Sequence, residues 1–289
     1  PGTLPYAAGT GEAASGIAPI RNELWVTSWG DNRLEAYQLQ PRGSSWMSGT
    51  DVVLQGGPNF RPIGIAQGPD GSVYLTDWVD RSYSVHGKGR LWRLRPTSQP
   101  EQPAQLPGLT SAERDRLKLA DSSELTKLVA ALNHADPFVH QQAMHRLATT
   151  ELLDSVDAEF LTSERVRTGV LAAWRWREIS RPGSVSPEHR QRLVSQSLNQ
   201  PESGPLLIAL RWAAERDDSD LLPQIESCLS KPNLSPEVFR AIVATASYLR
   251  SGTAKSGVRD PAREELVLSV ARDQQQPANI RAMAARMIP

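Results

Sequence analysis

Cysteine is nearly absent: the 289-residue chain holds one, Cys228. A lone thiol forms no internal disulfide, and without CxxC or CxxCH the sequence offers neither a zinc cluster nor covalent haem attachment. Charge of one sign is also missing. Lys+Arg and Asp+Glu both total 32, so no global field gathers nucleic acid or an anionic membrane surface, and neither is expected as a partner. No run of about 18 apolar residues exists to span a bilayer as a transmembrane segment, and the opening PGTLPYAAGTGEA has neither the basic start nor the apolar core of a signal peptide. Beginning at Pro1 without a Met, the chain reads as a fragment or a processed product.

What is present falls into two halves of different period. Residues 20–96 alternate in the manner of half-buried strands, rich in aromatic and β-branched side chains: LWVTSW (24–29), RLEAYQL (33–39), DVVL (51–54), PIGIA (62–66), SVYLTDW (72–78) and RLWRL (90–94). Asp70-Gly71 supplies the positive φ of a tight hairpin turn. LWVTSWGD at 24–31 aligns with VYLTDWVD at 73–80, an offset of 49 residues. A period of about 40–50 residues with about four strands per unit is the pattern of propeller blades. From about residue 120 the period becomes helical, as in Leu125, Leu128, Val129 and Leu132. Asp136-Pro137, Ser186-Pro187, Ser235-Pro236 and Asp260-Pro261 each set an N-cap oxygen before a first-turn proline. About nine or ten helices joined by short connections favour stacked antiparallel pairs. The expected fold is therefore multidomain β + α: about two blades of a β-propeller over 1–96, a Pro/Ser/Gln-rich linker over 97–119, and a HEAT-like, armadillo-like α-helical solenoid over 120–289.

In a four-stranded blade the loops alternate between faces. Taking PIGIA as the innermost strand places GGPNFR (56–61), VDRSYSVHGKG (79–89) and GDNR (30–33) at one end. There Asp31, Asn32, Arg33, Arg61, Asp77, Asp80, Arg81, His86, Lys88 and Arg90 would converge on a ligand pocket. His86 has the chemistry of a base near neutral pH, Arg61 or Arg90 that of a carboxylate clamp, and Asp77 and Asp80 that of ligands for a hard cation. The alternative is structural: Asp77 with Arg90 and Asp31 with Arg33 form a repeated bridge, leaving the nonrepeated Tyr83, His86 and Lys88 as the functional part.

FRPIGIAQGPDGSVYLTDW followed by HGKGRLWRL resembles the last blade of the planctomycete-type membrane-bound dehydrogenases, whose quinoprotein-like propeller is similar to sugar and sorbosone dehydrogenases and is followed by HEAT repeats. LNHADPFVHQQAMHRLA (132–148) resembles a HEAT unit at Asp136, Pro137, Val139, Ala143 and Leu147, with His140 where such repeats usually carry Arg. The resemblance implies an extracytoplasmic C-terminal fragment of a PQQ-type oxidoreductase acting on a sugar or alcohol, the helical repeats binding a protein partner. Within it His86 would be the catalytic base, Arg61, Lys88 and Arg90 would contact the anionic cofactor, and Asp77 or Asp80 would ligate calcium. The family's usual haem-binding cytochrome motif is not in this chain, and the fragment alone is expected to be inactive. The competing expectation is a noncatalytic propeller-plus-HEAT scaffold for protein or glycan.

In the helical half, Trp174, Trp176 and Trp212 are expected to pack in the core. His134, His140 and His145 lack the spacing that puts metal ligands on one helix face. The run Arg165, Arg167, Arg175, Arg177, Arg190 and Arg192 reads as a solvated face or as a groove for an acidic partner.

Overall fold

The computed structural model describes residues 4–95, 108–231, 234–251 and 261–288. Two compact units divide the chain, one over Leu4–Leu117 and one from Lys118 onward.

The first unit contains β1 (Ala14–Ile20), β2 (Glu23–Ser28), β3 (Arg33–Tyr37), β4 (Gln40–Arg42), β5 (Ser45–Met47), β6 (Asp51–Gln55), β7 (Pro62–Gln67), β8 (Val73–Asp77) and β9 (Arg90–Leu94). They form a four-stranded sheet in the order β1-β2-β3-β6, a β4-β5 hairpin, and a three-stranded sheet β7-β8-β9. Each pairing is antiparallel. The two larger sheets are the two copies of the sequence repeat, and the likeness extends to irregularities. Each first strand is bulged at a glycine, between Ala14 and Gly16 in β1 and between Pro62 and Gly64 in β7. In both, the glycine N–H donates at 2.8 Å to a threonine Oγ1, that of Thr27 or Thr76. Thr27 Oγ1, on β2, also donates to the carbonyl of Ile63 at 3.0 Å, and at Gly16 the backbones of β1 and β7 come close, with Ile63 O and Gly64 Cα beside the place a Cβ would take. A small core of Ala18, Ile20, Leu34, Phe60, Val73 and Leu75 fills the space between the sheets.

The partial two-blade propeller is not what forms. The sheets are three, small and open, none is closed, and no radial arrangement exists among the described residues. A repeat of this length specifies one antiparallel sheet twice; a propeller needs at least about four such sheets around an axis, and two sheets define none. Two elements also lay outside the expected strands. β1 was hidden in the loop-like ASGIAPI, although its Gly16-Ile17-Ala18 repeats as Gly64-Ile65-Ala66. The β4-β5 hairpin fills the connection from β3 to β6. The tight turn at Asp70-Gly71 is present: Gly71 has φ +76° and Gly68 N–H reaches the Ser72 carbonyl at 2.7 Å.

Of the stretch read as a linker, residues 97–107 lie outside the described residues, and residues 111–118 form α1 (Ser111–Lys118). Its start is a reciprocal capping box. Glu113 N–H donates to Thr110 Oγ1 at 3.1 Å and Thr110 N–H to Glu113 Oε2 at 2.8 Å. Trp46 Nε1 donates to the other Glu113 oxygen at 2.7 Å, tying the hairpin to this helix.

The second unit is helical: α2 (Leu125–Leu132), α3 (Pro137–Thr149), α4 (Glu164–Ser180), α5 (Pro187–Leu198), α6 (Ser203–Glu215), α7 (Leu222–Ser227), α8 (Pro236–Ser251), α9 (Pro261–Arg272) and α10 (Ala278–Ala285), with short 3₁₀ turns between several of them. The even-numbered helices stack in series, and α3, α5, α7 and α9 pack against them as a second layer. Caps start them as read: Asp136 accepts from Phe138 N–H at 2.9 Å, Ser186 from His189 N–H at 3.2 Å and Ser235 from Val238 N–H at 3.3 Å. Asp260 lies outside the described residues. Trp174 and Trp212 are buried in one continuous core, whereas Trp176 is partly exposed and stacks on His145 at 4.8 Å.

Candidate functional site

Three loops do converge at one end of the two large sheets. The β2–β3 turn meets the segment before β7, because Gly56 N–H donates to the Asn32 carbonyl at 2.8 Å and Asn32 Nδ2 donates to the Gly57 carbonyl at 2.8 Å. Arg61, only 5% exposed, reaches the same turn, its Nη1 donating to the carbonyls of Trp29 at 2.7 Å and Gly30 at 2.9 Å. Its guanidinium lies over the Trp29 ring at 4.8 Å, and Tyr83 of the long β8–β9 loop stacks on Trp29 at 5.5 Å. A buried cation is costly unless it is compensated, and here two carbonyls on Nη1 and a ring face compensate this one, although the buried Nε has no hydrogen-bond partner of its own.

Asp77 is the centre of this end. One carboxylate oxygen accepts Arg61 N–H at 2.7 Å and Val79 N–H at 2.9 Å. The other accepts Arg90 Nη2 at 2.8 Å, Arg90 Nε at 3.0 Å and Trp92 Nε1 at 2.8 Å. Burial pushes the Asp77 carboxyl upward, but the Trp92, Arg61, Val79 and Arg90 donors outweigh it and hold the group below the usual carboxylate range. Arg90 is fixed again by its bond to the Asn59 carbonyl. Asp80 is held low by the Ser82 N–H and by Lys88, whose Nζ stands at 3.1 Å. His86 packs edge-on against Trp78 at 4.8 Å, and its Nδ1 accepts Lys88 N–H at 2.9 Å.

The end therefore gathers Arg61, Asp77 and Arg90 into one bonded cluster and Asp80, His86 and Lys88 into a neighbouring loop braced by Trp78. These contacts bear on the expected cofactors. Calcium gathers several oxygens with open lone pairs, yet five donors fill the two oxygens of Asp77, and Asp80 is engaged by Ser82 and Lys88. Among the described residues no group of three or more His, Cys, Asp or Glu stands together to hold a metal. The guanidiniums expected to clamp a quinone carboxylate face carbonyls and Asp77 instead. The residues present do not fit a PQQ–calcium centre.

The open space lies beside the cluster. A cleft of about 550 Å³ is lined by Leu54, Pro58, Phe60, Arg90, Trp92 and Leu94, together with backbone of the 56–59 segment. Arg90, Trp92 and Leu94 reach it because alternate residues of β9 share a face. Sequence reasoning took Arg90 for its charge and passed over Trp92 and Leu94, although RLWRL carries that alternation.

In the helical unit the arginine run is mostly paired internally. Arg167 bonds Glu202 at 2.5 Å, Arg175 bonds Glu215, Arg177 bonds Asp154, and Arg190 bridges Asp218 and Glu178. Arg165 donates to the His134 carbonyl and Arg192 to His189. The three histidines serve separately: His134 accepts Asp136 N–H, His140 meets the Leu132 carbonyl, and His145 stacks on Trp176. Burial pushes both His140 and His145 below the usual histidine value.

No family model matches the chain, and comparisons with curated proteins and with solved structures likewise return no match.

Proposed function

We propose that the chain is a noncatalytic binding scaffold whose β-unit takes an oligosaccharide in the cleft beside Trp92. The observation that carries this reading is the saturation of Asp77: five N–H groups converge on it, so the charges at this end brace loops and do not wait for substrate. A binding wall rather than a reacting centre is what such a cluster supports. The cleft pairs an aromatic and aliphatic floor with a polar rim of Arg90 and peptide groups. Sugars match that division, presenting apolar C–H faces and polar hydroxyl edges. The extracytoplasmic setting implied by the family resemblance suits a glycan ligand, and the layered helical unit suits a protein partner.

The test is a titration of the full chain with a panel of neutral oligosaccharides, followed by tryptophan fluorescence. Saturable quenching that disappears in Leu54→Lys, which fills the cleft without touching Asp77, is the expected result. No binding, or binding indifferent to Leu54→Lys, would overturn it. Incubation with PQQ and calcium is expected to give no dye reduction with sugars; turnover lost in His86→Ala would restore the dehydrogenase reading.

A further inference from the structure

The two repeat copies differ by one strand. In the first sheet β3 carries β6 along its outer edge, in the register Arg33 with Gln55, Leu34 with Leu54, Glu35 with Val52 and Ala36 with Asp51. In the second sheet β9 occupies the place of β3: Arg33 pairs Ser28 and Arg90 pairs Asp77 at matching positions of β2 and β8. Among the described residues no strand pairs with the outer edge of β9. The consequence is visible in burial. All of β3 after Arg33 is buried, whereas Arg90–Arg93 of β9 are exposed, with Leu91 69% and Trp92 40% accessible.

A flat, regular edge strand with apolar side chains is a template for another strand. β9 has that character: its five residues pair with β8 in unbroken register. The exposed edge strand β6 of the first sheet does not. Its register shifts between Leu34 and Glu35, leaving Val53 as an extra residue, and a bulge of this kind bends an edge away from pairing.

The sequence of β9 also selects its occupant. Paired antiparallel with itself about Trp92, Arg90-Leu91-Trp92-Arg93-Leu94 sets Arg90 opposite Leu94, Leu91 opposite Arg93 and Trp92 opposite Trp92. No two arginines face each other directly. An aromatic pair sits on the two-fold axis, a cross-strand contact that stabilises sheets. Both arginines are already anchored inside their own copy, Arg90 on Asp77 and Arg93 on Asp70 and Ser72, so neither side chain must be desolvated unpaired. We propose that a second copy of this chain covers β9, joining two three-stranded sheets into one six-stranded sheet across a two-fold axis. An isologous contact of this kind closes at two chains. It goes beyond the scaffold reading, and because Trp92 also lines the cleft its test is made without sugar present.

The test uses the full chain in sedimentation velocity and in light scattering after size exclusion, across the micromolar range. A reversible species of twice the chain mass is expected. Leu91→Lys, at an exposed position facing away from the cleft, should weaken the dimer by about tenfold or more while leaving the circular dichroism spectrum intact. Val53→Lys on β6 should leave the dimer unchanged. A monomer at every concentration, a dimer insensitive to Leu91→Lys, or a dimer lost in Val53→Lys would each overturn the proposal.

Discussion

In the first sheet Arg33 bridges Asp31 at 3.3 Å but lies closer to the buried Glu35 on its own strand, at 2.6 Å, whereas in the second Arg90, at the matching position, bonds the buried Asp77 across the strand pair at 2.8 Å. The Asp31–Arg33 and Asp77–Arg90 bridges expected of the repeat thus both form. The arginine kept its place in the repeat and the buried carboxylate changed strands. Both carboxylates nevertheless do one job: each captures the backbone of the segment entering the first strand of its sheet. Glu35 accepts Gly11 N–H at 3.0 Å just before β1, and Asp77 accepts Arg61 N–H at 2.7 Å just before β7. The first sheet spreads this task, since Ser28 donates to the Glu12 carbonyl and Asp31 accepts Glu12 N–H. The second concentrates it on Asp77. What recurs between repeats is thus an Asp–Arg bridge and the staple on the incoming chain, not the strand that supplies the buried carboxylate.

The largest effect that tests this comparison comes from removing the concentrated staple. Asp77→Ala leaves three N–H groups and the Arg90 head without their acceptor, and should cost about 3 kcal/mol or more. Ser28→Ala, at the aligned position of β2, should cost about 1 kcal/mol, because Asp31 and Glu35 still hold the segment. Urea melts of the two variants followed by tryptophan fluorescence measure the difference, and equal losses would break the comparison. Acid should act in the same direction. The folded pKa of Asp77 is depressed, so its contribution is complete above the ordinary value of 3.8 and is lost as pH falls through the lowered value. Asp77→Asn should flatten the fall of stability in that window.

Strands β2, β3, β6, β7, β8 and β9, the hairpin turn and the caps at Asp136, Ser186 and Ser235 were legible because each rests on local chemistry: period two, Asp-Gly, and Asp or Ser before Pro. The charged loops meet one another at one end, since antiparallel strands return their connections alternately, but they do so without the propeller axis expected to gather them. The arrangement of the sheets was not legible, because a repeat of 49 residues states what one sheet is and nothing about how sheets meet. That is decided by Gly16 and Gly64, which let β1 and β7 approach through their backbones. The state of the site residues was equally hidden. Asp77, Arg61 and Arg90 have the residue types of a ligand site, and only their distances show that each has its partners within the chain. Trp92 was passed over because its indole N–H belongs to the Asp77 cluster while its ring lines the cleft.

The glycine pair gives a smaller and sharper comparison. A Cβ on Gly16 would run into the Ile63 carbonyl oxygen, a backbone atom of the facing sheet. A Cβ on Gly64 would meet only Thr76 Oγ1, on an exposed side chain that can turn aside. Gly16→Ala should therefore cost about 2 kcal/mol, within the range for overpacking, and Gly64→Ala less than about 1 kcal/mol. Thermal melts rank them, and the reverse order would mean that the sheets do not meet at β1 and β7.

The smallest effect probes a neighbour that the two buried carboxylates do not share. The Tyr37 hydroxyl donates to Glu35 Oε2 at 2.5 Å, while Asp77 takes the nontitrating indole of Trp92 instead. Burial and then the Glu35 bond push the Tyr37 hydroxyl up to about 12. Glu35→Gln keeps a hydrogen-bond acceptor and removes the negative charge, so ionising Tyr37 no longer sets one anion beside another. The Tyr37 midpoint should fall below 12 and stay above the ordinary 10.0, because burial remains. A difference titration of tyrosinate absorbance between the parent chain and Glu35→Gln reads this directly. An unchanged midpoint would place Glu35 outside the Tyr37 environment and leave the first sheet without the carboxylate staple that pairs it with the second.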